Sequence, residues 1–180
     1  YWHVDESVCK EVRKNFLAKF NLSDNEDDAF LIMYHGGVMP GRGIDSVIEL
    51  TALNPNVYAV ILGNSMLGTE EKLKNLVNEL NISHRVIFHP AVPLSELWKY
   101  VGAVDLGLVL IKAVVKNHYY SLPNKFFENI QALTPMVTAN HPELKRLIDK
   151  YEIGLTCNPE NINAINACVE KMRTDKAFYA

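Results

Sequence analysis

Apolar residues along this chain gather into short runs rich in β-branched and aromatic side chains, each bounded by polar or glycine-containing stretches. Five such runs predict strands, at residues 30–34, 57–62, 86–88, 106–111 and 135–138, and a weaker sixth covers 154–157. The segments between them carry helical periodicity. Within residues 70–80, Leu73, Leu76, Val77 and Leu80 share one face while Glu71, Lys72, Lys74 and Asn75 face outward. Residues 7–20 predict a leading amphipathic helix with Val8, Val12, Phe16 and Phe20 on one side, and about 160–173 a closing helix. Residues 24–28 read as an acidic loop.

Strands apolar on both faces and separated by helices indicate a parallel sheet covered on both sides, reached by right-handed crossovers. The predicted fold class is therefore α/β, a doubly wound, Rossmann-like parallel sheet of about six strands with helices on both faces. Such sheets bind ligands beyond the carboxyl ends of their strands, so the loops after strands one, two, three and five are where chemistry is expected.

Bulk properties narrow the partners. A chain of 180 residues, 48% apolar, is of a size to bury one continuous core. No apolar run approaches the roughly 20 residues that span a bilayer. The start, Tyr1-Trp2-His3-Val4-Asp5, has neither a basic opening nor an apolar signal core and reads as a boundary inside a longer chain. A net charge of −3 with mixed signs disfavours nucleic acid, while a small anionic ligand stays open. Cys9, Cys157 and Cys168, odd in number and scattered, argue against a disulfide framework or a metal site and suit reduced thiols in the cytoplasm.

Two loops place a cation beside the positive end of a helix. The first runs His35-Gly36-Gly37-Val38-Met39-Pro40-Gly41-Arg42-Gly43-Ile44-Asp45 into a helical pattern through Val47, Ile48 and Leu50. Its glycines let backbone approach a ligand closely. Arg42 there is unfavourable by up to about 1 kcal/mol unless an anion lies between it and the helix. A second loop, assigned to strand five, repeats the arrangement: Tyr119-Tyr120-Ser121-Leu122-Pro123-Asn124-Lys125-Phe126-Phe127-Glu128, with Pro123 suited to the first helical position and Lys125 in the first turn. One such cation is ordinarily a solvated side chain, and a glycine loop is ordinarily a tight turn. Two of them on loops at one sheet edge are what a diphosphate needs. Glu128, one turn after Asn124, is placed to accept hydrogen bonds from a vicinal diol such as ribose. Asn64, after strand two, and His89 with Pro90, after strand three, lie at the same edge.

These segments, in order, resemble the family 4 (group 1) glycosyltransferases, and specifically the C-terminal domain of their GT-B fold. The glycine loop with Arg42 looks like the family's first loop. Leu62-Gly63-Asn64-Ser65 is similar to its second-strand ending, and residues 81–93, then 96–100 and 103–105, are similar to its third strand and the stretch beyond that strand. Leu122-Pro123-Asn124-Lys125-Phe126-Phe127-Glu128, with Thr134-Pro135-Met136-Val137, looks like the segment holding the second Glu of the Glu-seven-residues-Glu motif. The resemblance covers nearly the whole chain. It implies a nucleoside-diphosphate sugar donor, with diphosphate on Gly36, Gly37, Arg42, Ser121, Leu122, Asn124 and Lys125, ribose on Glu128, and the base near Asn64, His89 and Pro90.

The resemblance further implies retention of anomeric configuration and no cofactor or metal, which agrees with the lack of an Asp-x-Asp motif. It implies an N-terminal acceptor domain outside this chain, needed for turnover, with a cytoplasmic protein reaching the membrane, if at all, through that domain. The catalytic residues are left unassigned. Two positions depart from the family: the first motif Glu falls on Tyr120 and the first-loop Arg on Gly37, with Lys125 as the candidate replacement charge. Two other readings stay open, a nucleotide-sugar 2-epimerase half-domain and a non-catalytic, receiver-like domain with a doubly wound sheet. A receiver would need acidic residues after strand one and an Asp after strand three, where this chain has Gly36-Gly37 and His89-Pro90.

Overall fold

A computed structural model describes residues 3–23 and 28–175; the acidic stretch 24–27 and the ends of the chain lie outside the described residues. Six strands form the sheet: β1 (Phe30–His35), β2 (Val57–Leu62), β3 (Val86–His89), β4 (Leu106–Val109), β5 (Met136–Ala139) and β6 (Gly154–Cys157). The helices are α1 (Glu6–Lys19), α2 (Ile44–Leu53), α3 (Thr69–Glu79), α4 (Leu97–Val101), α5 (Lys116–Tyr120), α6 (Asn124–Gln131), α7 (Pro142–Tyr151) and α8 (Ile162–Thr174). All strand pairs are parallel, in the order β3-β2-β1-β4-β5-β6. This is the doubly wound, Rossmann-like fold expected from the apolar runs.

Alternation along β1 explains the layering. Phe30, Ile32 and Tyr34 pack on one face with Val47, Ile48 and Leu50 of α2, Leu73 and Val77 of α3, and Ile165 and Val169 of α8. Leu31 and Met33 meet Phe16 and Leu17 of α1 and Leu97 and Val101 of α4 on the other. Further along that second face, Phe126 of α6 and Leu144 and Ile148 of α7 cover Val109 and Met136. Helix ends are held by specific polar groups. The Asp5 carboxylate accepts from the Ser7 N–H at 2.9 Å to start α1, and Asn161 caps α8 by accepting from the Ala164 N–H at 3.1 Å. Buried Arg85 donates to the carbonyls of Thr51 and Asn54, binding the end of α2 to the turn before β3.

Local details depart from the periodicity. The buried face of α1 is centred on Cys9, Phe16, Leu17 and Phe20, leaving Val8 and Val12 half-buried. Tyr119 and Tyr120, read as loop, end the short α5. Pro123 caps α6 from outside the helix rather than opening it, so Asn124 is the first helical residue. The loop carrying Lys125 follows β4, not strand five, because residues 110–135 form the crossover from β4 to β5.

Its origin at β4 sets the position of the site. The strand order reverses between β1 and β4, and the loops leaving these two neighbours diverge to opposite faces, opening a crevice at their carboxyl ends. Gly63, just past β2, has φ +154°, and a Cβ there would sit 1.8 Å from the Gly36 carbonyl oxygen. Gly63→Ala must therefore force the loop after β1 away from β2. We expect it to lower unfolding free energy in urea by about 1–3 kcal/mol; an unchanged midpoint and slope would refute the contact.

Candidate functional site

The crevice beyond β1 and β4 is walled by loops that brace one another. The loop after β1 turns through Gly36, Gly41 and Gly43, all at positive φ, and Gly43 caps α2. A Cβ on Gly43 would lie 2.2 Å from the Leu110 carbonyl oxygen, so this loop rests directly on the chain leaving β4. Lys112, on that chain, donates its N–H to the Gly41 carbonyl at 3.0 Å, and its ammonium pairs with Asp45 in the first turn of α2.

Into this frame α6 delivers Lys125. The side chain is 8% exposed, its Nζ 3.7 Å from the centroid of the Tyr34 ring and 3.5 Å from where a Gly36 Cβ would stand. A larger residue at position 36 would press on the amine. Burial, with the nearby Arg42 charge adding to it and Glu128 opposing, brings the Lys125 ammonium down to about 7. Arg42 is half-buried, has no carboxylate within ion-pair distance among the described residues, and acts electrostatically on both Lys125 and Tyr34. The Tyr34 hydroxyl donates to the Gly37 carbonyl at 2.6 Å, tying the ring to the glycine turn.

One turn along α6, Glu128 meets His35, the last residue of β1. His35 Nε2 lies 3.0 Å from Glu128 Oε2, and His35 is only 2% exposed. Burial pushes the imidazole's pKa down, against the raising influence of Glu128, so the neutral ring donates its Nε2–H to the carboxylate. Glu128 and His35, with Gly36, Gly37, Asn64 and Val92, line a cavity of about 320 Å³. The sequence reading gives His35 no role of its own, although a polar residue closing an apolar strand beside two glycines is a legible signal.

Other residues fall less centrally. Asn64 Oδ1 accepts from the Ala91 N–H at 3.3 Å, bracing the loop after β3. His89 shares the strand face of Ile87, so its ring turns toward α1 and α4, edge-on to Phe16 and 5.1 Å from Tyr100. Ala91 and Val92, rather than His89 and Pro90, therefore line the cavity. Leu122 packs beside Phe126 and Val109, Ser121 Oγ donates to the His118 carbonyl at 3.4 Å, and Asn124 is exposed at the α6 start. Tyr120 is largely exposed and lies edge-on to Tyr119. Among the described residues no three His, Cys, Asp or Glu side chains gather as metal ligands.

A Rossmann-like sheet thus carries a glycine turn, a buried amine and a braced carboxylate at its switch-point crevice. Residues 16–180 match the family model described as Glycosyl transferases group 1, and the chain belongs to that family. Over 84 residues it is 31% identical to the D-inositol 3-phosphate glycosyltransferase of Mycolicibacterium gilvum (strain PYR-GCK), covering 45% of this chain and 19% of that protein. The fold matches Anabaena HepE in complex with UDP-glucose at a TM-score of 0.79 with 16% identity, covering 97% of this chain and 45% of HepE. It matches sucrose-phosphate synthase from Thermosynechococcus elongatus at 0.78 with 19% identity, covering 98% and 41%. Both are GT-B glycosyltransferase-type folds, and this chain spans less than half the length of each.

The buried amine carries a pH signature. In the unfolded chain Lys125 holds its proton up to its ordinary value of 10.5, whereas in the folded chain it releases it near 7. Between those limits the unfolded state binds more protons, so stability rises with pH through this window and the burial penalty is complete below it. Lys125→Met should accordingly exceed the parent in stability by most at pH 6–7, with the gap in urea midpoint shrinking toward pH 10. A gap constant across that range would show that the amine is not buried as described.

Proposed function

We propose that this chain is the donor-binding domain of a retaining, metal-independent glycosyltransferase. It would move a sugar from a nucleoside-diphosphate donor to a glycan, lipid or other acceptor held by an N-terminal domain of the same protein. The observation that carries this reading is buried Lys125 in the first turn of α6, within electrostatic reach of Arg42 and one turn from a His35-braced Glu128. The α6 start has no side-chain cap, so its first N–H groups remain available to an anion.

In this arrangement the diphosphate lies against Gly36, Gly37, Arg42, Lys125 and the α6 start, with Ser121, Leu122 and Asn124 shaping its approach. Glu128 accepts hydrogen bonds from the ribose hydroxyls, and the base occupies the cavity toward Asn64 and Val92. As the bond from the sugar's anomeric carbon to the diphosphate breaks, negative charge grows on the leaving oxygen. Fixed cations and helix N–H groups already aimed there stabilise it without the reorganisation that water would need. That device replaces a metal ion. Lys125 supplies the second charge, its amine lying against Gly36. The UDP-glucose bound to HepE, which shares this fold, favours uridine as the base. We place the protein in the cytoplasm, consistent with three free thiols; among the described residues no helix is long and apolar enough to cross a membrane.

Calorimetric titration with UDP, GDP and ADP tests the reading. UDP should bind most tightly, with affinity unchanged by EDTA. Arg42→Ala and Lys125→Met should each weaken UDP by about tenfold or more, the size of a lost charge-assisted hydrogen bond, while leaving uridine affinity nearly unaltered. Glu128→Gln should weaken UDP more than 2′-deoxy-UDP. Failure of all three nucleotides to bind, or equal losses for UDP and uridine in the cation variants, would overturn the assignment.

A further inference from the structure

Cys157 and Cys168 are separated by most of a loop and a helical stretch in sequence, yet folding brings them together. Cys157 closes β6 and is 6% exposed; Cys168 lies on α8, half-buried, packed on the same apolar cluster as Cys157, Ile165 and Val169. The Cys168 sulfur lies against the carbonyl of Thr156, the residue immediately before Cys157, which brings the two thiols close together. Backbone carbonyls fix both from the sheet side: Cys157 Sγ is 3.8 Å from the Thr138 oxygen, and Cys168 Sγ is 3.8 Å from the Thr156 oxygen. The third cysteine, Cys9, is buried on α1 against Gly102 and the Trp98 carbonyl, on the opposite face of the sheet.

The pair is chemically asymmetric. The neighbouring Cys157 lowers the Cys168 thiol, with the Lys171 charge assisting against desolvation, which favours the Cys168 thiolate. The same contact, with burial, pushes Cys157 far up and keeps it protonated. One sulfur is thus a nucleophile and the other a poised neighbour.

We propose that Cys157 and Cys168 are a peroxide-responsive dithiol that closes into a disulfide fastening α8 to the end of β6. The Cys168 thiolate attacks one oxygen of hydrogen peroxide; an S–O bond forms, the O–O bond breaks, and the departing hydroxide takes a proton to become water. Cys157 then loses its proton as its sulfur attacks the Cys168 sulfenic sulfur; the S–S bond forms, the S–O bond breaks, and a second water leaves. Two thiols and one peroxide yield one disulfide and two waters, the thiols giving up two electrons. The crosslink joins the last strand to the helix that covers it, at the same sheet edge as the nucleotide crevice but away from Arg42 and Lys125.

The sequence provides a clean readout. No Lys or Arg lies between Lys150 and Lys171, so trypsin releases both cysteines on a single peptide, and Cys9 on another. The chain is treated with equimolar hydrogen peroxide, alkylated with iodoacetamide under denaturing conditions, digested and weighed. Before oxidation the 151–171 peptide should take two alkyl groups; afterwards it should take none and be lighter by two hydrogens, recovering both groups after reduction. Cys9→Ser should leave this loss intact. Cys168→Ser should abolish it, and Cys157→Ser should let Cys168 gain oxygen instead. The proposal is overturned if the parent peptide still takes two alkyl groups, if it gains oxygen rather than losing hydrogen, or if loss requires Cys9.

Discussion

The structure turns on an ammonium group that has been taken out of water with no full counter-charge. Lys125 sits over the Tyr34 ring, under the glycine turn, with Glu128 already engaged by His35 and Arg42 adding repulsion. An aromatic face offsets part of the lost hydration, on the order of 2 kcal/mol for a desolvated pair. The remainder is uncompensated within the chain, visible in the amine's loss of three or more orders of basicity from 10.5 to about 7. In the proposed function, a ligand bearing two adjacent negative charges would relieve the deficit and restore the proton. The same burial that weakens the fold is what gives an anion its differential advantage there.

The glycines are the steric side of that electrostatic arrangement. Gly36 leaves room for the Lys125 amine, Gly43 lets the loop lie on Leu110, and Gly63 allows β2 to end against the Gly36 carbonyl. Each removes a Cβ where two main chains or a main chain and a cation meet. The result is a crevice whose floor is backbone, with the Lys125 amine beside it and Arg42 near enough to act on that amine electrostatically. Asp45 and Lys112 then lock the two crossovers at their mouths, so the helix starts cannot drift apart.

Much of the fold is legible in the sequence because strands buried on both faces have nowhere to hide their composition. Each of the six apolar runs forms a strand, and the glycine loop marks the first crossover. Where the pattern misleads, it does so locally. It assigns the second cation loop to strand five, although the fourth and fifth apolar runs already flank that loop and the twenty-six-residue crossover, 110–135, follows β4. It places His89 near the base, but strand alternation turns that ring with Ile87 toward α1. His35 is marked in the sequence as the polar residue that closes an apolar strand beside two glycines, but its role becomes readable only from the spatial nearness of Glu128.

The departures from the family pattern are best understood together rather than position by position. A glycine at 37 has no charge to offer, and the nearest buried cation is the Lys125 amine, which lies against Gly36 from the facing crossover. Tyr120, in place of a carboxylate, stands exposed against Tyr119 and brings no negative charge to that position. Moving a cation from a flexible loop to a buried helical turn trades a hydrated, permanently charged guanidinium for a desolvated amine near its titration point. If the proposed donor binds there, the positive charge of the site would depend on its ligand: partial on its own at neutral pH, and drawn to full strength by the anion.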